Sequence, residues 1–199
     1  MTELMIDHAS VVITGRQVLR DIQLRCENGI TMCTGTGGSG KTTLCRLACG
    51  LIKPTEGTVR IGGTVLPVSR SAAVPKELTL RRALQMQKRL SGNTGSVQPL
   101  AEIFELTQLL GAHWQQLTEL QKASAALLLA FAAGPDRLIC DDLTRDLTET
   151  DRSRLLSALK QAADESKTAI LWISGTERDA EGISDLYRLE DGYLKRVKK

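Results

Sequence analysis

Residues 35–42 read Gly-Thr-Gly-Gly-Ser-Gly-Lys-Thr, with four glycines among the first six positions. They follow the short apolar run 30–33 (Ile-Thr-Met-Cys) and open a stretch with helical periodicity that ends near Gly50. The spacing satisfies the pattern G-x-x-x-x-G-K-[ST] in full. Glycine leaves the backbone free to curl tightly between strand and helix, so that successive N–H groups turn inward. The positive end of the following helix adds to that concentration of donors, which is the arrangement that binds phosphate. Gly35, Thr36, Gly37, Gly38, Ser39, Gly40, Lys41, Thr42 and Thr43 are therefore the candidate nucleotide-binding residues. Lys41 is expected to reach the β- and γ-phosphates, and the Thr42 hydroxyl to ligate Mg²⁺.

A phosphate site of this kind needs an acidic residue at the end of an apolar strand. Arg-Leu-Ile-Cys-Asp-Asp at 137–142, about a hundred residues downstream, has that form. Asp141 is the candidate metal residue beside Thr42, and Asp142 the candidate catalytic residue next to the attacking water. A helix-capping turn is the rival reading of the Asp-Asp pair.

The rest of the chain alternates strand and helix patterns. Strands are predicted at 4–6, 10–14, 18–25 and 30–33, and a hairpin at 58–66 around Gly62-Gly63. Helices are predicted from Leu80, with Leu80, Ala83, Leu84, Gln87 and Leu90 on one face, at 100–111 and at 118–133. Strand 137–140 precedes a helix capped by Thr150, strand 168–174 follows it, and a hairpin around Asp191-Gly192 closes the chain. Antiparallel strands at both ends of such an alternation indicate an α/β protein.

Composition narrows the function. The 199 residues, 42% hydrophobic and 25% charged with a net charge of +3, suit one globular domain. The six aromatics are scattered rather than clustered, against a base-stacking nucleic-acid platform, so no nucleic-acid partner is expected. The two histidines, His8 and His113, are too distant in sequence for a histidine-rich metal centre. The five cysteines match no metal-ribbon spacing and read as reduced, packed side chains. The longest apolar stretch, 125–133, is about half of what a membrane crossing needs. The terminal Lys195-Arg196 and Lys198-Lys199 read as solvated charges.

The run GTGGSGKTTLCRLACGLIKPTEGTVRIGG at 35–63 resembles the ATP-binding subunit of ABC transporters almost residue by residue. Residues 77–84, 117–142 and Pro135-Asp136 fit the same pattern more loosely. The resemblance implies a P-loop NTPase of ABC-ATPase type. Its mainly parallel core sheet is flanked by helices, with antiparallel β-structure at the N-terminus. It also implies one nucleotide-binding domain over 1–199, with 78–120 as a shortened helical subdomain. ATP and Mg²⁺ are the implied cofactors. A second ATPase subunit, identical or different, and an integral-membrane subunit are the implied partners. That places the chain in the cytoplasm, held at the inner face of the membrane through its partner.

Several positions depart from the family pattern. No aromatic lies near Ile13, where the adenine-stacking residue belongs, and no glutamine lies between about Pro67 and Val74. Leu117-Thr118-Glu119-Leu120-Gln121 stands where LSGGQ is expected. Asp142 replaces the catalytic glutamate, Thr148 the D-loop aspartate, and Gly175-Thr176 the switch histidine. The resemblance with these departures implies a subunit that binds Mg-nucleotide with weak or absent hydrolysis. The alternatives are a nucleotide-dependent regulatory or assembly protein without a transport role, and a small-molecule P-loop kinase or hydrolase.

Overall fold

In the computed structural model, which describes residues 3–69, 74–75, 77–180, 182–183 and 185–197, nine strands form two sheets. The smaller begins with β1 (Leu4–Ile13) and β2 (Arg16–Cys26), joined by a tight turn with Thr14 at φ 48° and Gly15 at φ 78°. β1 is one strand where the sequence pattern reads two. The register slips between Ile6 and Ala9, and this irregularity absorbs the polar pair Asp7-His8 that interrupts the pattern. The opposite edge of β1 pairs with β4 (Glu56–Ile61), giving the order β2-β1-β4. The six-stranded sheet contains β3 (Ile30–Gly35), β5 (Val65–Ser69), β6 (Arg137–Asp141), β7 (Ala169–Ser174), β8 (Asp185–Glu190) and β9 (Tyr193–Arg196). Its order is β5-β6-β7-β3-β8-β9, parallel throughout except for the β8–β9 hairpin.

The hairpin expected at 58–66 does not form. β4 and β5 enter different sheets, and Gly62-Gly63 carry the chain from one to the other. Gly63 has φ 75°, and a Cβ there would lie 2.4 Å from the Asp136 carboxylate. The same carboxylate accepts from the Thr64 N–H at 2.7 Å, so a residue distant in sequence turns β5 onto β6.

Side-chain alternation splits the core into two layers. Cys33, Ile139, Leu171 and Ile173 face α1 (Lys41–Ala48) and the small sheet. Met32, Leu138, Cys140 and Trp172 face α2 (Leu80–Ser91), α3 (Gln98–Ile103), α4 (Glu119–Ala132) and α5 (Glu149–Ser166). Both faces of the parallel strands are covered, which is why β6 and β7 are almost uniformly apolar. The helix expected at 100–111 stops at Ile103, and Glu105 adopts φ 57°. Phe104 packs on Phe131 with centroids 6.0 Å apart, and Leu106 is also buried. Burying residues two apart breaks the helical period. Leu90 is 72% exposed rather than on the buried face of α2. Thr148, not Thr150, caps α5, its hydroxyl accepting from the Asp151 N–H at 3.2 Å. All five cysteines are free thiols. Burial pushes those of Cys26 and Cys33 up to about 12, which leaves them unreactive near neutral pH.

Beyond β7 lies Asp179, fully buried. Its Oδ2 accepts from Thr144 Oγ1 at 2.6 Å, Ser174 Oγ at 2.7 Å and Trp172 Nε1 at 3.3 Å. Its Oδ1 faces an Arg152 guanidinium nitrogen at 3.4 Å, an ion pair without hydrogen-bond alignment. Asp179→Ala strands three buried donors and a largely buried guanidinium. Urea unfolding is expected to show a loss of about 3 kcal/mol, the range for removing one partner of a buried pair.

Candidate functional site

β3 ends at Gly35, which has no room for a side chain. A Cβ there would lie 2.5 Å from the Leu189 carbonyl oxygen and 2.6 Å from Ser39 Oγ. The loop then turns through Gly38 at φ 79° and Gly40 at φ 108°, conformations that glycine adopts without strain. A Cβ on Gly40 would also meet Leu19 Cδ2 at 2.9 Å. Ser39 turns inward with its hydroxyl buried. Lys41 folds back across the loop, donating from Nζ to the carbonyls of Gly35 and Thr36, both at 2.8 Å. The Leu44 N–H donates to the Gly40 carbonyl at 2.8 Å and closes the first turn of α1.

The acidic side comes from the end of β6. Thr42 and Asp141 line one cleft, so the two candidate metal residues come together there. Burial pushes the Asp141 carboxyl above its usual range, and Asp142 adds to this. The nearby Thr42 hydroxyl, Lys41 and Arg46 pull the other way. Asp142 has φ 54°, which turns the chain sharply at the strand end. Its N–H donates to the Ile173 carbonyl at 2.9 Å, and its Oδ1 accepts from the Gly175 N–H at 3.3 Å. Its Oδ2 lies 3.5 Å from Arg145 Nε.

These groups surround an open cleft of about 450 Å³ lined by Val18, Gly38, Lys41, Thr42, Asp141 and Arg145. Hollows of about 460 Å³ near Lys167 and about 610 Å³ between α3, α4 and α5 are as large. Neither is built on a glycine-rich loop with a lysine folded across it, so chemistry rather than size selects the cleft. Hard oxygen donors from Thr42 and Asp141 suit Mg²⁺. Among the described residues, no three His, Cys, Asp or Glu side chains converge as a metal cage.

The family profile described as ABC transporter matches residues 19–145, well over half of the chain. The chain belongs to the ABC transporter ATP-binding family. It is 28% identical over 158 residues to the cytochrome c biogenesis ATP-binding export protein CcmA of Sphingopyxis alaskensis, covering 78% of this chain and 81% of that protein. It is 27% identical over 192 residues to the molybdenum import ATP-binding protein ModC of Paramagnetospirillum magneticum, covering 86% of this chain and 53% of that protein. The chain thus spans most of the first relative and about half the length of the second. Its fold is that of a solved dimeric bacterial ABC transporter cassette. The two align with a TM-score of 0.80 at 17% identity, over 98% of each chain. An ATP-binding cassette in its ADP conformation aligns with a TM-score of 0.85 at 16% identity, over 100% of this chain and 92% of that one. The shared architecture is the α/β P-loop fold of ABC ATPases, antiparallel N-terminal sheet included, and membership implies nucleotide binding.

The family's other landmarks fall as follows in this ABC domain. Val12 and Ile13, near where the resemblance leads one to expect the stacking aromatic, are exposed aliphatics. Much of the segment expected to hold the missing glutamine, 70–73, lies outside the described residues, as do Lys198 and Lys199. In the run expected to stand in place of the signature, Thr118 and Gln121 form a capping box. Thr118 Oγ1 accepts from the Gln121 N–H at 3.3 Å, and Gln121 Oε1 from the Thr118 N–H at 2.9 Å. Glu119 pairs with Lys122 at 2.7 Å.

Sequence reasoning missed Val18, Arg145 and Asp179. The positive φ at Asp142 brings Arg145 to the cleft, and nothing in the local residue pattern announces that turn. Gly35→Ala puts a methyl group against Leu189 and Ser39, so the loop must shift. Calorimetry is expected to show ATP affinity down by about tenfold or more, with about 1–3 kcal/mol of stability lost in urea.

Proposed function

We propose that the chain is the ATP-binding subunit of an ABC transport complex that holds Mg-nucleotide and hydrolyses it slowly or not at all. On this reading 1–199 is one nucleotide-binding domain and 78–120 its shortened helical subdomain. Backbone N–H groups of 35–43 cradle the phosphates, Lys41 meets the β- and γ-phosphates, and Thr42 and Asp141 hold Mg²⁺. Bound Mg²⁺ neutralises charge on the phosphates. The observation that carries the reading is the glycine loop with Lys41, Thr42 and Asp141 lining one cleft beside it.

Slow turnover follows from what surrounds Asp142. Its side chain is one methylene shorter than glutamate, and its two oxygens face the Gly175 N–H and Arg145. A carboxylate that is one methylene short and already accepts from the Gly175 N–H is a poor acceptor for a water proton. Gly175 supplies no side chain to complete the work of a switch histidine. The proposed partners are a second ATPase subunit and an integral-membrane subunit, which would hold the chain at the inner face of the membrane. Among the described residues no helix is long and apolar enough to cross a membrane, so attachment through a partner fits.

A nucleotide-dependent regulatory or assembly role is the second reading. The capping box on α4 favours it, because the box occupies N–H groups that a nucleotide held by a second subunit would need. Co-purification with an integral-membrane protein supports the first reading over the second. Purified protein is expected to bind ATP in the presence of Mg²⁺, to lose that binding in Lys41→Ala, and to turn over ATP at background rates. A robust, Lys41-dependent ATPase rate from the protein alone would overturn the slow-hydrolysis assignment.

A further inference from the structure

Among the described residues, Arg145 is the cationic side chain of the cleft to which the reading above gives no contact with the nucleotide. It lines the same hollow as Lys41, Gly37 and Gly38, opposite the loop. Its backbone is held firmly. The preceding residue, Thr144, is buried and donates to Asp179 Oδ2 at 2.6 Å, and the Thr144 carbonyl accepts from the Leu147 N–H at 3.1 Å. Its head is free by contrast. The side chain is 71% exposed and its polar contact is the 3.5 Å approach to Asp142. That single long contact leaves most of the planar fork of five N–H donors unused, the geometry that grips phosphate oxygens in pairs.

The charges of the cleft give Arg145 a purpose. Lys41 and a Mg²⁺ ion held by Thr42 and Asp141 would together carry three positive charges, against two negative ones on Asp141 and Asp142 and more on a triphosphate, so the cleft stays short of positive charge. Arg145 lies against Asp142 and reaches the same space.

We propose that Arg145 contacts the nucleotide itself: its guanidinium grips the terminal phosphate of a bound nucleoside triphosphate from within the same chain. The site thereby prefers triphosphate to diphosphate without a second subunit closing over it. The anchor on Asp179 sets the starting point of the side chain, and the stem lets the head move between Asp142 and the phosphate. This rests on the nucleotide-binding reading of the cleft.

The test is equilibrium binding of ATP and of ADP, each with Mg²⁺, to the wild-type chain, Arg145→Ala, Arg145→Gln and Lys41→Ala. Truncating an exposed side chain leaves the fold intact, which thermal melting checks, and the glutamine variant keeps most of the stem so that lost packing is not mistaken for lost charge. Arg145→Ala and Arg145→Gln are expected to weaken ATP by about tenfold while ADP stays within about twofold, as for one lost charged hydrogen bond to the γ-phosphate. Unchanged or tighter ATP binding, or equal losses for ATP and ADP, would overturn the role of Arg145. If Lys41→Ala binds ATP as the wild type does, the nucleotide reading of the cleft fails instead, and Arg145 with it.

Discussion

The approach of Gly35 to the Leu189 carbonyl fixes everything above it. β3 is hydrogen-bonded on both sides, to β7 and to β8, so its end cannot drift. The missing Cβ at Gly35 lets the chain leave the sheet against β8 rather than swing away from it. α1, only eight residues long, is too short to be a stable helix alone. Burial of Leu44, Leu47 and Ala48 between β2 and the strands β3, β6 and β7 holds it in place. The loop is thus clamped at one end by strand pairing and at the other by a hydrophobic seat. Its own residues contribute conformational permission rather than stability.

The opposite wall of the cleft depends on a second linkage. Asp179 gathers Thr144 and Ser174, and each precedes by one position a residue that faces Asp142. Arg145 follows Thr144, and Gly175 follows Ser174. A single buried carboxylate therefore sets the spacing between the two groups that engage both oxygens of Asp142. Such a network is costly to break and narrow in what it permits. The rigidity of this wall belongs to the backbone, and the reach that remains belongs to the Arg145 side chain.

The loop was legible in the sequence because its demand is local: four glycines and a lysine at fixed spacing leave few conformations. β6 and β7 were legible for a related reason, since strands covered on both faces need unbroken apolar runs. The departure of β5 from β4 was not. It depends on Asp136, which lies 72 residues from Thr64 and captures its N–H. The helix expected at 100–111 failed because Phe104 and Leu106 both find the core, a tertiary gain that outweighs helical propensity. Within the site, Lys41, Thr42 and Asp141 could be read from motif chemistry. Arg145 could not, because its place in the cleft follows from a left-handed residue three positions earlier.

The N-terminus of α4 shows how a change of local chemistry redirects a site. A helix start leaves N–H groups without intrahelical partners, and these are what an anion can use. Thr118 and Gln121 satisfy two of them reciprocally, and Glu119 places a negative charge where the helix dipole favours one. Each contact stabilises α4 within its own chain. Together they weaken the pull on an external phosphate there, since two of the donors are already engaged. A helix capped from within does not need a second subunit to complete it. If protein charge for the terminal phosphate is to come from beyond Lys41, it must come from elsewhere on the cleft, and Arg145 already stands opposite the loop.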